Sequence, residues 1–383
     1  MYYARFLGFI PFCLLVLLAG CEKQDAIMNI GAIYNLTGEQ QNLDIPSSQG
    51  AELAVAELNQ NGGILGRQVS LVLVDGETNT TIIAQKAQQL IDETSDMPVI
   101  IGMSDTDVVL AAAKVAAKNQ RLFITSGATS PLLPADVPGY LFLACYGDNV
   151  QAAAAADWAY SDLKARSVVV LYKEDMSYTA LLRAYFEDAF RGHGGDIIVS
   201  RGYKTGTFAG AITDLPDADL VYLAASPDEV IADISALRAT GYAGPIASGD
   251  GFDIGEAWSQ LPAENKAYFT THADVGLNNT DPKVMAFRKA YAAKFPGHEP
   301  DAFTALGYDT VMLIAAAAEK AGSLKVDAIR SALSDLQNFG GLTGSISYED
   351  GSHIPIKSVA LFKATNGTEV FVREILPTEI PGP

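Results

Sequence analysis

Two short hydroxyl-rich segments of the sequence each follow a stretch of apolar, mostly β-branched residues. They are residues 103–106, after Val99–Gly102, and residues 126–131, after Leu122–Thr125. The hydroxyls of Thr106 and Thr129 can donate hydrogen bonds to an anion, and the backbone of both segments supplies N–H groups. Ser, Thr and Asp also cap helices whatever the function, so capping remains an equal interpretation of either segment alone. If the two segments converge, they can hold one anionic group.

A tyrosine and a carboxylate follow two later β-branched stretches. Tyr178 ends the segment 173–178, and Asp250 lies between two glycines within 248–252. Tyr178 can present a ring face and a hydroxyl to a cleft, and the flanking glycines let the backbone at Asp250 approach a ligand closely. Donors on one wall of a cleft and a carboxylate on the other suit a zwitterion. Asp-Gly is also common turn chemistry, so a simple turn remains the alternative for Asp250.

The sequence lacks the usual signatures of catalysis. It has no Gly-x-Ser-x-Gly elbow, no P-loop lysine and no Cys/His pairing, and the glycine-rich segment 61–66 follows a predicted helix rather than a strand. The four histidines lack zinc spacing and are interpreted as surface residues. Acidic and hydroxyl groups in a cleft are as useful for holding a ligand as for reacting with it. We therefore expect a binding protein without metal or cofactor, with an enzyme as the less favoured alternative.

The elements that must position these residues alternate between strands and amphipathic helices. The first predicted series is strand Met28–Tyr34, helix 48–59, strand Val69–Asp75, helix 82–92, strand Val99–Gly102, helix 108–118 and strand Leu122–Thr125. The second is helix 150–161, strand 167–172, helix 179–191, strand 196–200, strand Leu220–Ala224, helix 229–240 and strand 245–248. Alternation of this kind predicts βαβ units and parallel sheets. The expected fold class is α/β, with two doubly wound lobes.

The last third of the chain is less regular. Three helices are predicted at Pro282–Lys294, 303–321 and Val326–Ser334, followed by strands near 345–348 and 357–363. The helices have no new sheet to cover, so we expect them to return to the first lobe, and the two strands to join the second. The chain would then cross between the lobes about three times. Several crossovers form a hinge rather than a free linker.

The N-terminus resembles a lipoprotein signal. Arg5 precedes an apolar run, 6–18, that is too short to span a bilayer and typical of a secretory signal. Leu18-Ala19-Gly20-Cys21 resembles the lipobox at which bacterial lipoproteins are cleaved and acylated. We expect residues 1–20 to be removed, Cys21 to carry lipid, and 21–27 to be a flexible leader. A signal that merely contains a cysteine is the alternative.

The overall charge disfavours some classes of binding partner. The chain has 26 Lys and Arg against 45 Asp and Glu, a formal net charge of −19. Nucleic acid and anionic lipid surfaces are poor partners for such a body. Membrane contact is therefore expected only through the lipid on Cys21. With Cys21 acylated and only Cys145 left after cleavage, no structural disulfide is expected within the chain.

Several motifs give the chain a resemblance to the leucine/isoleucine/valine-binding family of periplasmic proteins. The motifs are Ile30 to Gly38, Gly50-Ala51, residues 61–66, Val74-Asp75, Ile101-Gly102, residues 126–131 and Ala305 to Asp309. Their order and spacing extend over essentially the whole mature length. The resemblance implies a type I periplasmic-binding fold, an ABC permease as partner, a monomer, and a location in the periplasm or at the cell surface. A ligand-sensing module of the same fold without a transport role is the alternative.

The resemblance also implies roles for individual residues. Thr106 and Thr129 match hydroxyls that hold the ligand carboxylate, with Gly127 contributing backbone, Tyr178 matches a cleft tyrosine, and Asp250 matches the acidic residue that pairs with the ligand ammonium. Other positions depart from the family: Leu43 replaces a pocket tryptophan, Ser226-Pro227 replaces tyrosines, and Asp105 replaces half of a disulfide. We therefore expect an amino-acid-like ligand in a remodelled side-chain pocket.

The expected domain limits follow from these predicted elements and motifs. The N-terminal lobe is predicted to comprise 28–147 and 274–342, and the C-terminal lobe 148–273 and 343–376, with 377–383 as a tail.

Overall fold

The structure, a computed structural model, describes residues 1–2, 27–348 and 351–383. The predicted lipobox and Cys21 lie outside the described residues.

The first part of the chain alternates strands and helices as the sequence predicts. In chain order it contains β1 (Met28–Tyr34), α1 (Gln41–Gln60), β2 (Val69–Asp75), α2 (Thr80–Glu93), β3 (Val99–Gly102), α3 (Thr106–Lys118), β4 (Leu122–Thr125), α4 (Leu133–Asp136) and β5 (Leu141–Leu143). The five strands form one parallel sheet in the order β2-β1-β3-β4-β5. The three central strands are almost wholly buried, as expected where helices cover both faces of a parallel sheet. This sheet and the helices on it form the first lobe.

The second part repeats the alternation around a larger sheet. It contains α5 (Asp148–Ser161), β6 (Ser167–Lys173), α6 (Ser177–Gly192), β7 (Asp196–Tyr203), α7 (Phe208–Ala211), β8 (Leu220–Ala224), α8 (Val230–Ala239), β9 (Ile246–Ser248) and β10 (Ala267–Thr271). Two 3₁₀ turns, Asp250–Phe252 and Gly255–Gln260, lie between β9 and β10. Strands β6 to β10 are mutually parallel. This sheet and its helices form the second lobe.

The last part returns to both lobes. It contains α9 (Pro282–Lys294), α10 (Ala302–Ala321), α11 (Val326–Ser334), β11 (Phe339–Gly341), β12 (Gly344–Ile346), β13 (Val359–Thr365) and β14 (Thr368–Ile375). Helix α10 packs along α1, and all three helices contribute to the core of the first lobe, as predicted. Strands β13 and β14 extend the second sheet in antiparallel fashion, giving the order β14-β13-β10-β9-β8-β6-β7.

One strand lies elsewhere than predicted. β12 pairs with β11 in a separate two-stranded sheet rather than joining the second lobe. Ile346 and Tyr348 are buried in the core of the first lobe, and the Tyr348 hydroxyl donates a hydrogen bond to the carbonyl of Leu143 at 2.7 Å. The prediction for the strand near 345–348 is therefore wrong, because its apolar side chains cover the edge of the first lobe before the chain crosses.

Counted over the described residues, the chain passes between the lobes three times: between β5 and α5, between β10 and α9, and between β12 and β13. Lys357 ties two of these crossovers together. Its buried ammonium donates hydrogen bonds to the carbonyl of Ala144, at 3.2 Å, and to the hydroxyl of Thr343. The result is the two-lobe architecture with a multi-strand hinge that the sequence predicts.

The strand register aligns the two hydroxyl-rich segments. Gly102, the last residue of β3, pairs with Thr125, the last residue of β4, so the segments 103–106 and 126–131 begin side by side. Gly102 has φ +129°, and a Cβ there would lie 1.8 Å from the carbonyl oxygen of Ile33. Only glycine fits this close approach.

Within the described residues, one helix is long and apolar enough to cross a membrane, by length and composition alone. It is Ala302–Ala321, and 83% of its most apolar stretch is buried inside the protein. We identify it as a core helix of the first lobe.

Candidate functional site

A small cavity lies between the two lobes. Its empty space, counted with the solvent at its opening, is about 240 Å³, and its enclosed volume is about 10 Å³, far below the range of about 300–1,000 Å³ usual for ligand pockets. The first lobe lines it with Gln40, Leu43, Ser104 and Asp105, and the second with Met176, Tyr178, Pro227, Asp250 and Gly251. A larger, open groove of about 1,100 Å³ at the crossovers contains none of the residues predicted for the site. The interlobe cavity is therefore the candidate site.

Asp250 is held by hydrogen bonds from several elements of the second lobe. One carboxylate oxygen, Oδ1, accepts from the Gln151 amide at 2.7 Å and from the Tyr178 hydroxyl at 2.9 Å. The other, Oδ2, lies 3.0 Å from Nε2 of His272. The Tyr178 hydroxyl in turn accepts from the Gly251 N–H at 2.9 Å, and the Gln151 carbonyl oxygen accepts from the Asp250 N–H at 3.0 Å. The carboxylate is thus oriented before any ligand arrives.

His272 does not neutralise Asp250. Complete burial lowers the pKa of His272, outweighing the nearby Asp250 carboxylate, which acts to raise it. The imidazole, stacked on Tyr146 with ring centroids 4.3 Å apart, is therefore neutral at pH 7. All three side-chain donors to Asp250 are uncharged. A carboxylate has about four lone-pair positions, so one remains for a further donor.

A second carboxyl group, Asp148, lies in the same network without adding charge at neutral pH. Burial, and then the negative charge of Asp250, raise the pKa of Asp148 to about 8. Its Oδ1 accepts a hydrogen bond from the Gln151 amide at 2.9 Å, and its backbone N–H donates to the carbonyl of Thr129 at 2.7 Å. Asp148 thus joins the first-lobe segment 126–131 to the Asp250 network.

The first-lobe candidates for the ligand carboxylate, Thr106, Gly127 and Thr129, lie beside the cavity rather than among its lining residues. Thr106 is the first residue of α3, and its hydroxyl accepts a hydrogen bond from the Ser130 N–H at 3.3 Å. A Cβ at Gly127 would lie 2.8 Å from the Ser104 hydroxyl, so glycine permits close packing of the two segments. Thr129 is buried and contacts Asp148 through its carbonyl. The two predicted segments therefore do converge at the N-terminus of α3.

The remaining predicted residues differ in their placement. Leu43 and Tyr178 line the cavity together with Asp250. The Ser226 hydroxyl instead donates a hydrogen bond to Asp228 in its own loop, and the neighbouring Pro227 lines the cavity.

Much of the network behind Asp250 is not predicted by the sequence. His272, expected at the surface, is only 2% exposed. Asp148 and Gln151 are not among the predicted site residues, although they lie three residues apart at the start of a helix whose next five residues are alanine. Buried polar side chains at helical spacing on an otherwise apolar helix are unusual. This pattern in the sequence is the signal that could have indicated the buried polar network.

A contact outside the cavity also joins the lobes. The exposed Asp107 carboxylate of α3 accepts hydrogen bonds from the backbone N–H groups of Ser177, at 2.8 Å, and Tyr178, at 3.2 Å. These two residues begin helix α6 of the second lobe.

Comparisons with known proteins agree with this architecture. Residues 28–369 match the family described as periplasmic binding proteins. The Leu/Ile/Val-binding protein BraC3 of Rhizobium johnstonii is 27% identical over 354 residues, covering 90% of this chain and 94% of that protein. The Leu/Ile/Val-binding protein homolog 3 of Brucella melitensis is 27% identical over 350 residues, covering 89% and 92%.

Two solved structures show the same fold along nearly their whole length. LivJ, a branched-chain amino acid transporter substrate-binding protein from Streptococcus pneumoniae in complex with isoleucine, is 27% identical with a TM-score of 0.83. The match covers 92% of this chain and all of that one. LivK, a leucine-binding protein from Thermotoga maritima, is 29% identical with a TM-score of 0.81, covering 91% and 99%.

Proposed function

The chain belongs to the periplasmic binding protein family, and from this premise we propose that it is the solute-binding component of an ABC importer. Its ligand in this proposal is an amino acid or a close analogue, held in the interlobe cavity. The relatives named above are solute-binding proteins, so the chain is not an enzyme. The family places the protein outside the cytoplasm.

The observation that carries this proposal is a buried carboxylate at the cavity, Asp250, that is held only by neutral side chains. Asp250 is 3% exposed, and the side-chain donors that hold it are neutral. A buried charge without a countercharge is costly. A ligand ammonium would supply that countercharge, and Asp250 retains a lone-pair position to accept its hydrogen bond. This arrangement favours a ligand with a primary or secondary ammonium group.

The ligand carboxylate would lie at the opposite wall. The N-terminus of α3 carries a partial positive charge, and the segment 126–131 lies beside it. We assign Thr106, Gly127 and Thr129 to this end of the ligand. Neither threonine lines the present cavity, so both hydroxyls would have to turn toward the ligand when it binds. Leu43, Tyr178 and the Ser226-Pro227 loop would surround the rest of the ligand.

Ligand capture would close the two lobes. The assigned residues are divided between the first lobe, 28–147 with the return segment from α9 to Tyr348, and the second, 148–273 with the return segment that carries β13 and β14. A ligand shifts a conformational equilibrium only through its differential affinity for the two states. Contacts from both walls provide that difference, because an open cleft offers one wall at a time.

The protein would remain at a membrane surface as a monomer that delivers its ligand to permease subunits. The lipobox-like Leu18 to Cys21 supports acylation of Cys21 and a lipid-anchored location in the periplasm or at the cell surface. Single lipid chains bind membranes only marginally, so a stable anchor requires more than one chain.

Titration calorimetry with the twenty common amino acids tests this proposal. We expect at least one to bind the ligand-free protein, and its N-acetyl analogue to bind at least tenfold more weakly. Asp250→Asn keeps an acceptor for Gln151 and Tyr178 but removes the charge. It should weaken binding roughly tenfold to a hundredfold, since hydrogen bonds to charged groups contribute about 1.5–3 kcal/mol.

The exposed Asp196 at the start of β7 provides the control. Asp196→Asn changes the net charge equally and should leave binding unchanged. An N-acetyl analogue that binds as well as the free amino acid would contradict the proposal.

A further inference from the structure

We propose that the ligand carries a hydrogen-bond donor on its side chain, received by Asp105 and Ser104, so that this protein discriminates against branched-chain amino acids. The inference rests on the proposed function, because it assumes that the ligand ammonium meets Asp250. It concerns the first-lobe wall of the same cavity.

Three of the four residues on that wall are polar. Leu43 is the apolar one, and Gln40, Ser104 and Asp105 are the others. All four are between 2% and 9% exposed. An apolar ligand side chain would therefore meet mostly buried polar groups on this wall.

The polar groups have hydrogen-bonding capacity to spare. One carboxylate oxygen of Asp105 accepts from the Asp107 N–H at 2.9 Å, and within the described residues its second oxygen accepts none. The hydroxyl of Ser104 is buried and has no hydrogen-bond partner in the described part of the chain. Unpartnered buried polar atoms are rare in folded proteins. The unpartnered Ser104 hydroxyl, next to the Asp105 carboxylate on the cavity wall, indicates that the ligand supplies a hydrogen-bond partner there.

The position of the wall assigns these partners to the ligand side chain. Asp250 and Tyr178 form the opposite wall, and the segment 126–131 lies next to the N-terminus of α3. In the proposed pose the ammonium contacts Asp250 and the carboxylate contacts Thr106 and the segment 126–131, so the remaining atoms face Leu43, Ser104 and Asp105, which line the cavity. Burial raises the pKa of Asp105 to about 7, and both protonation states keep an acceptor oxygen there.

The chemistry of this wall limits the ligand class. The class that fits is an amino acid with a hydroxyl, amide or amine on its side chain. Sites built to hydrogen-bond a substrate group reject analogues that lack it far more strongly than apolar pockets reject an added methylene. Discrimination should therefore exceed what shape alone would give.

Three pairs of amino acids of similar size test the inference by calorimetry on ligand-free protein: threonine with valine, asparagine with leucine, and 2,4-diaminobutyrate with norvaline. We expect the donor-bearing member to bind at least tenfold more tightly in at least one pair. A smaller preference in all three pairs overturns the inference.

A matched pair of variants locates the effect. Asp105→Ala removes the cavity carboxylate together with the hydrogen bond to the N–H two residues later. Asp281→Ala removes the same kind of hydrogen bond, 2.7 Å to the Lys283 N–H, from the N-cap of α9 outside the cavity. The preference found in the parent should fall at least tenfold in Asp105→Ala and stay unchanged in Asp281→Ala. An unchanged preference in Asp105→Ala would remove that residue from the specificity site.

The outcomes separate the two proposals. Tight binding of leucine or valine over their donor-bearing partners would leave the amino-acid-binding proposal intact and contradict only the specificity. Failure of all amino acids to bind would contradict both.

Discussion

Asp107 of the first lobe accepts a hydrogen bond from the backbone N–H of Ser177 in the second lobe, at 2.8 Å. Met176, the N-cap residue of α6, makes no side-chain capping hydrogen bond of its own. The first lobe therefore supplies the cap of a second-lobe helix, and also interacts favourably with its dipole. This contact exists only while the two lobes are together, so it contributes to the closed state alone.

Replacing this cap should weaken ligand binding without unfolding either lobe. A helix N-cap contributes typically about 1 kcal/mol, so Asp107→Ala should raise the ligand dissociation constant about fivefold. Small-angle scattering at limiting ligand should show a smaller decrease in radius of gyration than in the parent. Asp335→Ala, which removes an exposed carboxylate elsewhere on the first lobe, is the control. Equal affinities for Asp107→Ala and the parent would show that the contact does not favour closure.

The hydroxyl of Tyr178 is expected to matter more than its ring. Tyr178→Phe keeps the ring but removes the donor to Asp250 and the acceptor for the Gly251 N–H. A buried donor left without a partner costs about 1–3 kcal/mol. Urea denaturation should show that loss in the free energy of unfolding, and calorimetry about tenfold weaker binding. Tyr185→Phe, on the same helix, should change neither. An unchanged ligand affinity in Tyr178→Phe would show that the Tyr178 hydroxyl does not support Asp250 in ligand binding.

Stability of the ligand-free protein should fall as pH rises toward 8. The pKa of Asp148 is about 8 in the folded protein and about 3.9 in an unfolded chain. The unfolded state therefore binds fewer protons between pH 4 and 8, and the free energy of unfolding decreases across that window. The pKa values of Asp105 and Asp44, raised by burial to about 7 and about 6, act in the same direction over narrower windows.

The Asp148 contribution can be isolated with an amide. Asp148→Asn keeps an acceptor for Gln151 but cannot ionise, so urea denaturation should give a shallower decline between pH 6 and 8. Asp157→Asn, half-buried on the same helix, is the control. If the free energy of unfolding declined with pH equally in Asp148→Asn and the parent, the result would contradict a raised pKa at Asp148.

Membrane attachment should depend on Cys21 alone. Cys21→Ser removes the acceptor for lipid, and the strongly acidic body has little affinity for anionic membranes. Detergent-phase partitioning should move the variant from the detergent phase to the aqueous phase. Cys145→Ser, a change at the buried core cysteine, should leave partitioning unaltered. Retention of Cys21→Ser in the detergent phase would contradict the lipid anchor.

Local pattern was sufficient to predict the strands of the first lobe. β1, β2, β3 and β4 have the predicted bounds, because β-branched runs between glycine-containing turns and amphipathic helices are read from neighbouring residues. The sequence does not predict the short strands β5 and β11, nor β10 and β14. Three-residue strands carry little periodicity, and β14 is mostly exposed at a sheet edge. The lobe to which β12 belongs depends on tertiary packing, which cannot be read from a local sequence pattern.

The sequence predicts only those site residues whose type and position after a strand are distinctive. Asp250 and Tyr178 stood out as polar residues after apolar strands, and both line the cavity. The residues that set their electrostatics come from distant parts of the chain: Gln151 is 99 positions from Asp250. Contacts at that separation follow from the order of strands in the sheet. His272 looked like a surface residue because its burial depends on the packing of Tyr146 against it.

Identification of the small molecule that the protein carries from the cell is the most direct test of the central claim. Protein purified without dialysis from cells grown in rich medium is denatured gently, and the released molecule is identified by mass spectrometry. The buried charge on Asp250 predicts a small molecule with both an ammonium and a carboxylate group, present in amounts close to one per protein. A stoichiometric molecule without an ammonium group, such as a sugar or an aromatic acid, would contradict the account.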